Sequence, residues 1–145
     1  MTTYVPIKVK LASGAKLPEH ANSFAVGADI HALEYTELYG HQRYALRTGV
    51  YIEIPPDYEI QVRGKSGLAL KHGLQVLNSP GTIDPDYRGE IVVIMLNTST
   101  EMYVVKPGDK IAQLVIAPRF FGGYTEVDEL SETERGVNGF GSTGK

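Results

Sequence analysis

The segment NSPGTIDPDYRG, residues 78–89, sets two aspartates, a tyrosine and an arginine among bends made by proline and glycine. Ser79-Pro80-Gly81 turns the chain once and Asp84-Pro85-Asp86 turns it again, as in a hairpin or wide turn. In most sequences such a stretch does no more than face its carboxylates to water. It also has a chemical use: an aspartate fixed beside a hairpin can act as a general base toward water, with Tyr87 packing on a ligand.

A second segment, Gly64-Lys65-Ser66, ends like a P-loop, but Glu59 stands where that pattern wants its first glycine, and a long helix should follow. A milder reading survives. A strand that turns into a short helix at Ser66, with Arg63 and Lys65 beside it, gathers N–H groups, a hydroxyl and positive charge around an anion. The third segment, GFGSTGK at residues 139–145, contains G-x-G-x-x-G. The dinucleotide fingerprint needs a strand before it and a helix after it, so the Rossmann reading fails on context. What remains is a Gly/Ser tail or a mobile arm that finds its phosphates elsewhere. The four histidines, His20, His31, His41 and His72, lack metal-ligand spacing, and no G-x-S-x-G elbow supports serine hydrolase chemistry.

Composition bounds the partners. The chain has 145 residues, 42% hydrophobic and 21% charged, which suits one ordinary domain able to bury its own core. Against 17 Asp+Glu stand 14 Lys+Arg, a net charge of −3 that gives no general reason to bind nucleic acid or an anionic membrane. Phosphate binding must therefore be local. There is no cysteine, no signal-peptide layout at MTTYVPIKV, and no apolar run longer than Ile91 to Leu96, so a reducing cytoplasmic setting is the expectation.

The elements that must hold these segments read mostly as strands. Apolar and polar residues alternate in Ile7 to Leu11, Val50 to Ile54 and Tyr58 to Val62. Pro55-Pro56-Asp57 and Lys106-Pro107-Gly108-Asp109 are turn chemistry, and KIAQLVIAP resumes as a strand. EIVVIMLN predicts a strand buried on both faces. Only Ser66 to Gly73 looks helical, about two turns, with Ser66 as N-cap and Gly73 as the stop. Many short strands separated by turns imply an all-β antiparallel barrel or jelly roll. From about Gly122 the apolar pattern fades, so the expected division is a β-barrel over residues 1–121 and a flexible Gly-rich C-terminal arm over 122–145.

Taken together and in order, these segments resemble the trimeric dUTP pyrophosphatases (dUTPases). Val26-Gly-Ala-Asp-Ile30 resembles the family's first motif, Lys65-Ser-Gly-Leu-Ala69 the second, and Gly81-Thr-Ile-Asp-Pro-Asp-Tyr-Arg-Gly89 the third. Gly108-Asp-Lys-Ile-Ala-Gln113 resembles the fourth, and the stretch from Arg135 to Gly144 the fifth. Three places depart from the family pattern, at four residues: Gly64-Lys65 replaces Pro-Arg, Lys110 replaces Arg, and Asn138 replaces Gly. Lysine keeps the charge but loses the planar fork that grips phosphate bidentately.

The resemblance implies a jelly-roll homotrimer whose active sites are shared between subunits. The implied reaction converts dUTP and water to dUMP and pyrophosphate, with Mg²⁺ on the triphosphate. In that reading Asp84 activates a water for in-line attack on the α-phosphorus. Lys65, Ser66, Gly67 and Gln113 meet the phosphates, joined by Arg135, Gly141, Ser142 and Thr143 of the arm. Asn78, Gly81, Ile83 and Tyr87 hold base and sugar, and Phe140 stacks on the base. The metal is held through triphosphate and water, with Asp29 left to support its water shell or the subunit interface. Stacking contributes about 1–3 kcal/mol per base without choosing uracil, so selection falls to a hairpin from about Leu74 to Asp84. Alternatives from the same fold are a dCTP deaminase, or its bifunctional form, which needs a glutamate at C4 of the base, and a catalytically silent trimer.

Overall fold

The computed structural model describes residues 4–141. Eleven strands and one helix follow in chain order: β1 Lys8–Leu11, β2 Glu19–His20, β3 Ala28–His31, β4 Thr36–Leu38, β5 Arg43–Glu53, β6 Tyr58–Arg63, α1 Ser66–His72, β7 Leu74–Val76, β8 Gly81–Ile83, β9 Glu90–Asn97, β10 Tyr103–Val105 and β11 Lys110–Pro118. They form a four-stranded sheet in the order β1-β5-β9-β7, a five-stranded sheet in the order β2-β3-β11-β6-β8, and the pair β10-β4. All the strand pairs are antiparallel. The fold is the all-β jelly roll the turn-and-strand pattern implied.

The core lies between the two larger sheets. Leu46, Val50, Ile52, Leu74, Val93 and Met95 from one sheet meet Ile30, Ile60, Val62 and Leu114 from the other in a single buried cluster. Alternation along each strand is what makes this possible, because only every second side chain points inward. The two-face reading of β9 is corrected here. Ile91, Val93, Met95 and Asn97 are buried, but Val92 and Ile94 on the opposite face are exposed. β9 is apolar on an outward face that its own chain leaves open.

Two further expectations change. The N-cap of α1 is Lys65, in extended conformation and without a side-chain cap, so Ser66 is the first helical residue and its hydroxyl is not used as a cap. Gly73 ends the helix as expected: it sits in the left-handed region at φ 65, where glycine lacks the Cβ penalty, and its N–H returns to Ala69 O. The stretch from Leu74 to Asp84 is not a hairpin. β7 pairs with β9 and β8 pairs with β6, so the chain switches sheets between them through the Asn78–Pro80 bend, where the Ser79–Pro80 peptide is cis.

Past β11 the chain holds to the barrel at Arg119, whose N–H donates to Asp57 O at 2.8 Å and whose Nε donates to Pro56 O at 2.7 Å. Phe120, Phe121, Tyr124, Leu130, Val137 and Phe140 then lie exposed, and no regular element forms among the described residues. No helix among the described residues is long and apolar enough to cross a membrane.

Candidate active site

The third segment builds a cleft at the end of β8. Pairing of β8 with β6, Ile83 opposite Ile60 and Gly81 opposite Val62, fixes the strand, and the chain leaves it at Asp84. Asn78, Gly81, Thr82, Ile83, Asp84, Tyr87, Ile91, Val92 and Ile94 line a cleft of about 200 Å³. That is below the roughly 300–1,000 Å³ of pockets that enclose a whole small ligand, so it suits only part of a nucleotide.

Turn and side-chain contacts hold Tyr87 and Asn78 in place. The Asp84 carbonyl accepts the Tyr87 N–H at 3.1 Å, closing the turn that the Asp-Pro-Asp sequence predicts. The Tyr87 hydroxyl donates to Glu90 O at 2.9 Å, and its ring crosses so close over Gly89 that a Cβ there would stand 2.6 Å from Cζ. Glycine at 89 is thus what leaves room for the ring in the cleft lining. The Asn78 amide covers Gly81, where a Cβ would meet Nδ2 at 3.1 Å. Asp84 itself is exposed, and its carboxylate makes no hydrogen bond or ion pair with another described residue. It is free to bind water.

The second, first and fourth segments meet elsewhere. Register places Asp29 opposite Gln113 and Gln113 opposite Arg63, so the three side chains share one face across β3, β11 and β6. Gln113 Nε2 donates to Gly64 O at 2.9 Å, tying β11 to the entry of α1. Asp29 is buried, and its two oxygens meet two lysines: Lys65 on Oδ1 and Lys110 on Oδ2 at 2.8 Å. Burial pushes the Asp29 carboxyl up, but hydrogen bonds from Lys110 and Lys65 and their charge outweigh it and hold the group below its ordinary range. The same contact raises Lys110. Ser66 and Gly67 are exposed beside this cluster, and nothing stands within 4 Å of where a Gly67 Cβ would be. Arg63 does not join the lysines: its Nη2 and Nε donate to Gln61 Oε1 at 2.6 and 3.1 Å.

The expected site residues therefore fall into separate groups. Asn78, Gly81, Ile83, Asp84 and Tyr87 share the cleft. Lys65, Ser66, Gly67, Gln113 and Asp29 gather at the start of α1, and none of them lines that cleft. Arg135, Gly141 and Phe140 sit on the arm and join neither group; Arg135 Nε bonds to Asn138 O at 2.9 Å. Ser142 and Thr143 lie outside the described residues. Sequence reading did not assign Lys110 to the site or foresee the two-lysine contact of Asp29, because three distant segments supply those charges. The motif order was the one signal available.

The sequence pattern that defines the dUTPase family matches residues 13–144. The chain belongs to the dUTPase family. Among curated relatives, the deoxyuridine 5'-triphosphate nucleotidohydrolase of Nautilia profundicola is 49% identical over 136 residues, spanning 94% of this chain and 96% of that one. The Treponema denticola protein of the same name is 50% identical over 137 residues, spanning 93% and 95%. Among solved structures, the dUTPase of Staphylococcus bacteriophage 80alpha with dUpNHpp superposes with a TM-score of 0.85 at 27% identity, covering 97% of this chain and 99% of that one. A mutant dUTPase of phage phi11 of S. aureus, described with a structural Mg(II) ion, gives a TM-score of 0.80 at 25% identity over 88% of this chain and 99% of that one.

Proposed function

We propose that this dUTPase hydrolyses dUTP to dUMP and pyrophosphate, with Asp84 as the general base. The observation that carries the assignment is the unpaired Asp84 carboxylate at the mouth of the cleft, set by the turn that also places Tyr87. In this reading the base enters the cleft between Asn78, Gly81 and Ile83, and Tyr87 packs against the sugar so that a ribose 2′-hydroxyl finds no room. Asp84 takes a proton from water as its oxygen attacks the α-phosphorus; the α–β bridging oxygen leaves with pyrophosphate. Lys65, Ser66, Gly67 and Gln113 receive phosphate oxygens and stabilise the charge that moves onto them.

The cleft and the lysine cluster are distinct places on one chain, which supports a homotrimer in which neighbours bring the cleft of one subunit to the cluster of another. The arm, exposed over its described length, then closes the site from a further subunit. Phe140 stacks on the base, while Arg135, Gly141, Ser142 and Thr143 meet the phosphates.

Among the described residues no three His, Asp or Glu side chains gather as an all-protein metal site would need. With both Asp29 oxygens held by lysines, this donor set suits a Mg²⁺ carried on the triphosphate's own oxygens with its water shell. Bound there, Mg²⁺ would offset phosphate charge. We infer a cytoplasmic setting from the cysteine-free chain. The deaminase reading needs a free glutamate in the base cleft. Glu90, which lines it, instead accepts from Gly49 N at 2.8 Å and from Arg47 Nε at 3.1 Å.

The test is pyrophosphate release with Mg²⁺ from dUTP, dCTP, dTTP and UTP in parallel. Turnover of dUTP alone supports the proposal. Ammonia release from dCTP would transfer the protein to the deaminase branch.

A further inference from the structure

The first segment of the family pattern has one polar side chain, Asp29, and it is fully paired within the chain. Gly27 lies under the Gln113 side chain, so close that an added Cβ would stand 2.9 Å from Cδ and 3.0 Å from Cβ of that glutamine. Asp29, two residues on, spends both oxygens on Lys65 and Lys110. Its side chain is 7% exposed, whereas Lys65 is 28% and Lys110 47% exposed. The carboxylate is therefore the buried root of the trio, and the ammonium groups are its solvent-facing tips. One negative and two positive charges leave the trio cationic.

The lysines make this arrangement matter. A guanidinium carries its direction in a planar fork, but an ammonium is a point charge on a flexible stem and takes its direction from its partner. Here one carboxylate directs two ammoniums arriving from different elements: Lys65 from the N-cap of α1, and Lys110 from the start of β11, where the register with β3 shifts.

We propose that Asp29 is the positioning residue of the phosphate site: it holds Lys65 and Lys110 side by side, and the surplus positive charge of the trio is what the triphosphate of dUTP meets. The inference rests on the dUTP reading above and adds to it a role distinct from metal support. Asp29 touches no substrate atom. It acts by keeping two flexible cations aimed, and it stays ionised while doing so. Removing its charge leaves both ammoniums in place but undirected, and places them against each other. Affinity for the triphosphate should fall more than the chemical step, since the water and Asp84 belong to the other group of residues.

The experiment uses the full chain with Asp29→Asn, the double variant Asp29→Asn/Lys65→Arg, and Lys110→Met. Steady-state turnover of dUTP is paired with calorimetric titration of dUpNHpp and of inorganic triphosphate. Asp29→Asn is expected to raise KM and both dissociation constants about 10-fold or more, with kcat held within about three-fold. The double variant should recover part of that loss, because the arginine fork restores direction without the carboxylate. A fall in kcat at unchanged KM, or no recovery with Lys65→Arg, would overturn the proposal. If Asp29→Asn does not fold, Lys110→Met decides alone: weaker triphosphate binding supports the trio, and unchanged binding removes it. A wild-type protein that neither turns over dUTP nor binds dUpNHpp would sink the nucleotide reading separately. Inorganic triphosphate would then still test Asp29, with equal affinity in wild type and variant counting against it.

Discussion

The cleft and the lysine cluster solve opposite problems with different materials. The cleft sets an apolar wall, Val62, Ile83, Ile91, Val92 and Ile94, against polar groups, Asn78, Thr82, Asp84, Tyr87 and Glu90, held by turns and close backbone approach. Its key carboxylate, Asp84, is exposed and has no ionic partner among the described residues. The cluster is the reverse: its carboxylate, Asp29, is buried and doubly paired. An unpaired aspartate in contact with water can accept a proton, whereas one locked between two ammoniums cannot do so without releasing them. In the proposed reading the same residue type serves as a base in one region and as an anchor in the other, and the difference lies in the neighbours.

The strongest way to break this contrast is to neutralise the free carboxylate. Asp84→Asn should lower kcat for dUTP by about 10²–10⁴-fold while melting within a few degrees of wild type, because the group has no structural partner to lose. A comparable drop in thermal stability would mean that Asp84 is an anchor after all.

Removing residues 122–145 tests whether the two regions need the arm. The described part of the arm is exposed, so the melting temperature should stay close to wild type, while turnover falls on the order of 10²-fold through lost positioning. An active truncated protein would confine the machinery to the barrel.

Salt sharpens the contrast more gently. Raising ionic strength from about 0.05 to about 0.5 M shortens the Debye length roughly three-fold. KM for dUTP should therefore rise several-fold, while binding of deoxyuridine, which on the proposed reading meets only the cleft, changes little. Equal salt dependence for both ligands would mean that the cluster does not see the phosphates.

The smallest expected effect is on stability against pH. His31 is buried beside the cluster with its Nδ1 unpartnered among the described residues, and burial, reinforced by Lys16, pushes its imidazole below the ordinary 6.5 despite the opposing pull of Glu19 and Asp29. The unfolded chain therefore binds more protons than the folded one between the two values. Stability from His31 is present above 6.5 and is lost as pH falls through the depressed value. Asp29 adds a second loss of the same sign below its ordinary 3.8. His31→Gln should flatten the fall in melting temperature between pH 7 and about 5. An unchanged slope would assign acid lability to other groups.

Much of this was legible in the residue order. Alternation located β1, the second half of β5 and β6, the Lys106–Asp109 turn marked where β11 resumes, and the glycine at 73 stopped the helix as its spacing predicted. The tight turn from Asp84 to Tyr87 followed from Asp-Pro-Asp, because proline presets one backbone angle of such a turn. What misled was always a matter of partners. The apolar residues of EIVVIMLN do alternate between core and surface, but a run in which every residue is apolar cannot say which face is covered. β7 and β8 are close enough in sequence to suggest a hairpin, yet each pairs with a different sheet.

The sequence by itself determined the strand-rich class, the position of the helix and the motif order that marks the family. Those features depend on local spacing and backbone chemistry, which act over a few residues. Only the tertiary structure decided that Asp29, Lys65 and Lys110 form one ionic trio, that Glu90 is occupied by Arg47 and Gly49, and that the cleft and the cluster stand apart on the chain. Those facts depend on which strands the sheets bring together, and a charge has no fixed role until its neighbours in space are known.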